Sequence, residues 1–308
     1  MPLDPQVETV LEIMSAAGVS FADLEVSQAR ELMEQLAAAA PPGEPVASVE
    51  DRSVPGPGGA IPVRVYRPAG DVPPPVVVFF HGGGWTIGSI QGHDATCRAL
   101  ANRSGCVVVS VGYRLGPEHW FPAGVEDADA ATRWVAQHAA ELGGRTGPIG
   151  VAGDSAGGNL AAVVSLLARD RGVPAIGHQL LVYPATDARD DWPSYRENGE
   201  GYFLTLRDMQ WFVSHYLNDD AERDDFRMSP LRAESHAGLP PAFVVTAEFD
   251  PLRDEGNAYA ERLRAAGVPA TLRCYQGMIH GFWSMAAMLD RGREAMDDAA
   301  AEVRRALA

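Results

Sequence analysis

Across 308 residues, 46% of them apolar, the chain can bury one large hydrophobic core. A net charge of −16 leaves no basic face for nucleic acid and disfavours anionic membrane surfaces. All 25 basic residues are arginine, so chemistry that needs an amine is excluded: Walker-type phosphate loops, Schiff bases and Ser–Lys dyads.

The opening MPLDPQVETV lacks the basic start and apolar stretch of a signal peptide. Two amphipathic helices are predicted next, Val7 to Ala17 and Ser27 to Ala40, closed by Pro41-Pro42-Gly43, with Ser27 and Glu31 near the second start. Alternating stretches in residues 46–67 (IPVRVYR), broken by PGPGG, predict an antiparallel hairpin. From residue 76 short apolar runs alternate with helical patterns: VVVFF (76–80), VVVSV (107–111), IGVAG (149–153), LLVYP (180–184) and FVVTA (243–247). Helical periodicity lies between them, as in Val125–Ala140 and Asn159–Arg171. This is the rhythm of parallel strands buried on both faces and joined by helices, a wound α/β sheet. None of these runs approaches the roughly 20 residues needed to span a bilayer. Cys97, Cys106 and Cys274 are scattered, with no CxxC, and suggest neither a disulfide framework nor a zinc site. The expectation is a soluble cytoplasmic protein. Residues 187–235 interrupt the alternation with charge and aromatics and contain one good helix, Leu206–Leu217. An insertion of this size at the carboxyl edge of the sheet is a candidate lid, with an extra core-covering helix as the alternative.

In wound sheets, chemistry sits on loops leaving the carboxyl ends of strands. There Gly153-Asp-Ser155-Ala-Gly157 follows the strand IGVA and opens a helix, the GxSxG pattern of a nucleophile elbow. A serine hydroxyl needs a base. Histidines before Ser155 are excluded by the order serine, acid, histidine in such sheets. Of the rest, His178 precedes its strand, His215 lies in the insertion helix and His236 sits near the end of the insertion. His280, in a loop after TLRCY, remains. The acid must leave a strand end between the two, and Asp250 follows FVVTAEF directly; Asp254 and Glu248 are the competitors. Strand VVVFF ends in His81-Gly82-Gly83-Gly84-Trp85, a glycine run that can turn backbone amides toward an oxyanion together with the amide of Ala156.

These residues, HGGGW (81–85), YRLGPEHWFPAGVEDA (113–128), GDSAGGN (153–159), EFDPLRDEG (248–256) and MIHGF (278–282), resemble the bacterial hormone-sensitive-lipase-like esterases of family IV, over residues 45–290. The resemblance implies an α/β-hydrolase fold: an eight-stranded, mostly parallel sheet flanked by helices, with a helical cap. On this chain the cap would be residues 1–45 and 187–235, and the catalytic core 46–186 and 236–308. It implies Ser155 as nucleophile, Asp250 as acid, His280 as base, and Gly82, Gly83 and Ala156 as oxyanion donors, with Gly84 the alternative to Gly83. The expected substrate is a small carboxylic ester of a short acid, with no metal and no organic cofactor. Trp85, Phe203, Trp211 and Phe212 are candidates to line its pocket, lid core being the alternative for the lid aromatics. A homodimer through TLRCY (271–275) as an edge strand is the expected assembly. An amidase or peptidase would use the same triad. A binding receptor on this scaffold would typically lack a triad member, and all three are present here.

Overall fold

The computed structural model describes residues 2–17, 20–188 and 192–308. A hairpin opens the sheet: β1 (Ser48–Gly56) pairs antiparallel with β2 (Gly59–Arg67), Gly56 opposite Gly59 at the turn. Then come β3 (Val76–Phe80), β4 (Val107–Val111), β5 (Ile149–Asp154), β6 (Ile176–Val182), β7 (Ala242–Phe249) and β8 (Ala270–Ile279). They form one 8-stranded sheet in the order β1-β2-β4-β3-β5-β6-β7-β8. From β4 to β8 every pairing is parallel, and β2 joins β4 antiparallel.

The sheet is sandwiched because its central strands have no polar face. In β3, Val76, Val78 and Phe80 enter one core while Val77 and Phe79 enter another, as the two-residue period of a strand requires. The first core is closed by α4 (Ala123–Gln137), α5 (Ala156–Arg171) and α8 (Arg253–Ala265), through Val125, Leu160 and Leu263. The second is closed by α3 (Asp94–Ser104) and α9 (Asp290–Ala306), through Leu100 and Met296.

The two amino-terminal helices part company. Val7 and Val10 of α1 (Pro5–Ala17) belong to the second sheet core. Ala29 of α2 (Val26–Ala39) instead joins a third, smaller cluster with Ile87, Tyr195, Leu204, Phe212 and Leu252. Half of that cluster comes from the insertion, whose α-helices are α6 (Pro193–Asn198) and α7 (Leu206–Tyr216). Residues 189–191 of the expected insertion lie outside the described residues.

Three local expectations are corrected. α2 starts at Val26 rather than at Ser27, capped by Glu25, whose N–H donates to Gln28 Oε1 at 3.0 Å. LLVYP is not a strand throughout: β6 begins at Ile176 and ends at Val182, because Tyr183 takes φ 34° and leaves the sheet. His178 therefore sits inside β6, not ahead of it. β8 runs past TLRCY to Ile279, so His280 follows the strand end directly.

Candidate active site

Three loops at the carboxyl ends of β5, β7 and β8 bring Ser155, Asp250 and His280 together. Ser155 stands between β5 and α5 with φ 55° and ψ −119°, a strained conformation for a non-glycine residue. The tight turn needs its glycines. A β-carbon on Gly153 would collide with the Gly157 carbonyl, and one on Gly157 with the Phe80 carbonyl. Ser155 is thereby lifted above the sheet, half-buried, at the amino end of α5.

His280 Nε2 lies 3.0 Å from Ser155 Oγ, and His280 Nδ1 lies 2.8 Å from Asp250 Oδ2. A carboxylate opposite Nδ1 puts the ring proton there and leaves the Nε2 lone pair facing the serine hydroxyl. Asp250 is fully buried, and its second oxygen accepts the Leu252 N–H at 2.8 Å. The imidazole also rests against the Tyr183 ring, centroids 4.5 Å apart. The competing carboxylates are occupied elsewhere. Asp254 accepts the Ser194 N–H at 2.9 Å, and Glu248 accepts the Gly277 N–H at 2.8 Å. The competing histidines are remote in role: His215 Nδ1–H donates to the Trp211 carbonyl and His236 Nε2–H to the Pro230 carbonyl.

The glycine run departs from expectation at one position. The Gly82 N–H donates to Asp154 Oδ1 at 3.0 Å, so it is not free to bind an oxyanion. The next two peptide planes point the right way because their carbonyls are tied down on the other side. The Gly82 carbonyl accepts from His81 Nδ1–H at 2.8 Å. The Gly83 carbonyl accepts from the Thr86 and Ile87 amides at 3.1 and 2.9 Å. In a trans peptide the following N–H points opposite to the carbonyl, so these bonds aim the Gly83 and Gly84 amides away from the turn. With the Ala156 amide they find no protein acceptor among the described residues. Gly83 and Gly84 hold φ 118° and 56°, conformations that favour glycine.

Of the aromatics singled out, two border this space. Phe212 packs on Gly84, where a β-carbon would strike its ring, and Phe203 packs beside Gly281, next to the histidine. Trp211 lies behind Phe212, ring to ring at 5.1 Å. Trp85 does not line the site. Its indole is buried in the sheet core, stacked on Tyr216 at 5.0 Å, because φ 58° turns it under α7.

Sequence reasoning missed Asp154 and His93, and it did not separate Gly84 from Gly83 within the glycine run. Asp154 had a readable signal: a carboxylate at the end of a strand buried on both faces must have a partner. That partner is His93, with Nε2 3.2 Å from the carboxylate.

A family model described as the alpha/beta hydrolase fold matches residues 77–284. The chain belongs to the α/β-hydrolase fold family. It is 45% identical over 291 residues to the carboxylic ester hydrolase LipN of Mycobacterium tuberculosis, covering 92% of this chain and 77% of that one. It is 42% identical to the carboxylesterase NlhH of the same species, covering 99% and 96% of the two chains. Among solved structures, a hyperthermophilic esterase from the archaeon Pyrobaculum calidifontis superposes with a TM-score of 0.96 at 44% identity, over 99% of each chain. No helix of the described residues is long and apolar enough to cross a membrane.

Proposed function

We propose that this α/β hydrolase is a carboxylesterase that cleaves small carboxylic esters through an acyl-enzyme on Ser155. The observation that carries the reading is the unbroken line from Asp250 through His280 to the hydroxyl of Ser155, at 2.8 and 3.0 Å. In the proposed cycle His280 takes the serine proton as Oγ attacks the ester carbonyl, then returns it to the departing alcohol. Asp250 holds the tautomer and balances the imidazolium. The amides of Gly83, Gly84 and Ala156 receive the oxyanion, each such donor typically contributing about 3 kcal/mol to the transition state. His280 then activates water to release the acid.

The motif set points to the hormone-sensitive-lipase-like branch of the family, with short acids as substrates. Phe203 and Phe212, one beside each half of the machinery, would shape the acyl and alcohol space. The proposed cap consists of α2 with the insertion, which share a hydrophobic cluster of their own, while α1 shares a core with the sheet. The outer position of β8 supports a homodimer formed by pairing of this edge with a second copy. The three cysteines are all free, which fits a reducing compartment such as the cytoplasm.

The test is a series of chromogenic esters of increasing acyl length, on the wild type and on Ser155→Ala. Wild-type turnover of acetate and butyrate esters that disappears in a normally folded Ser155→Ala variant is the expected result. Retention of more than a few per cent of the rate refutes the nucleophile assignment.

A further inference from the structure

The nucleophile strand ends in a second carboxylate that the triad does not use. Asp154 precedes Ser155, is buried, and holds the Gly82 amide at the root of the oxyanion loop. A bare negative charge there would repel the anion that forms on the substrate. His93, at the amino end of α3, answers it. Nε2 lies 3.2 Å from Asp154, and Nδ1 faces the Ser89 carbonyl at 3.4 Å. Both ring nitrogens thus look at oxygen acceptors, which suits an imidazolium, the form that donates from both.

The surroundings fit a charged pair. Burial works against the charge on His93, but the Asp154 carboxylate and its hydrogen bond outweigh it and hold the imidazole above its ordinary range. Burial likewise opposes ionisation of Asp154, and His93 with the Gly82 amide overcomes it. The His81 ring, 5.6 Å from His93, is pushed down to about 4 by burial and then by the His93 charge, so it is neutral. From the other packed elements, the Cys97 thiol and the Tyr113 and Tyr183 hydroxyls are kept protonated chiefly by burial. Asp94, the next residue on α3, is engaged by Arg64 and Arg98.

We propose that His93 is a positioning residue for ester hydrolysis: its imidazolium neutralises Asp154, so that this carboxylate can fix the oxyanion loop without opposing the tetrahedral intermediate. The proposal rests on the esterase reading above. His93→Gln leaves Asp154 unbalanced, so kcat on a chromogenic acetate ester falls about tenfold or more while KM changes by less than about threefold. Asp154→Asn removes the charge and keeps an oxygen for the Gly82 amide, so the double variant regains most of the lost kcat. A double variant as slow as His93→Gln overturns the proposal, because removing a charge does not repair lost packing. Imidazole nitrogen NMR on the full chain gives an independent reading: His93 is charged near neutral pH in the wild type and neutral in Asp154→Asn. A neutral His93 in the wild type overturns the proposal even where His93→Gln does not fold. Failure of the wild type to cleave any ester would strike the esterase reading instead, and the NMR result would still decide the charge pair.

Discussion

Replacing Asp250 by asparagine tests the site without disturbing its shape, and the hydrogen bonds dictate the outcome. One carboxylate oxygen accepts the Leu252 N–H at 2.8 Å and the other accepts from His280 Nδ1 at 2.8 Å. In Asp250→Asn the amide oxygen must stay on the Leu252 N–H, since an NH2 there would face a donor. The NH2 group then faces His280 and forces Nδ1 to become the acceptor. The ring proton moves to Nε2, the nitrogen 3.0 Å from Ser155 Oγ, and the base can no longer take the serine proton. A tautomer locked the wrong way costs about 10⁴-fold in kcat, or about 5.5 kcal/mol of transition-state stabilisation. Stability changes little, about 1 kcal/mol at most, because the number of hydrogen bonds is nearly conserved. The assay is steady-state hydrolysis of a chromogenic acetate ester, paired with thermal unfolding. Asp254→Asn is the control and keeps near-wild-type kcat, since Asp254 braces Ser194 and Arg253 rather than the imidazole. An Asp250→Asn enzyme retaining more than a tenth of wild-type kcat would refute the reasoning.

Two further outcomes follow from the same geometry. Gly157→Ala drives a β-carbon into the backbone at Phe80 and His81, so it costs about 3 kcal/mol and distorts the oxyanion loop; Gly172→Ala, at φ 78° in open space, costs about 1 kcal/mol and leaves activity intact. Chemical denaturation of both variants checks the contrast, and equal losses would contradict it. Burial lowers the His178 imidazole to about 4, below its unfolded value near 6.5, so the unfolded chain binds that proton first. Its contribution to stability is therefore intact above pH about 6.5 and is lost as pH falls toward 4, amounting to about 2 kcal/mol by pH 5. His178→Phe should flatten that part of the acid limb, measured as Tm against pH, and an unchanged limb would exclude the assignment.

Much of this molecule was open to reading because its decisive signals are local. A strand such as VVVFF has no polar face, so it must be central and covered on both sides, and both clusters around β3 bear this out. Strand ends locate the chemistry, and chain order then singled out Ser155, Asp250 and His280 for the geometry to bring together. What escaped depends on hydrogen-bond partners that only the folded chain reveals. Three consecutive glycines look alike until the partners of their amides and carbonyls are known. Asp154, Thr86 and Ile87 decide that the second and third amides, rather than the first, are left to face the site. Trp85 adjoins the glycine run, yet Tyr216 on the insertion helix captures its ring. Physical reasoning could insist that a carboxylate at Asp154 needs a counter-charge, but with eight histidines and no lysine it could not choose among them. The fold chooses, by setting the amino end of α3 against the end of β5, and so builds a second histidine–carboxylate pair whose carboxylate adjoins the nucleophile in sequence.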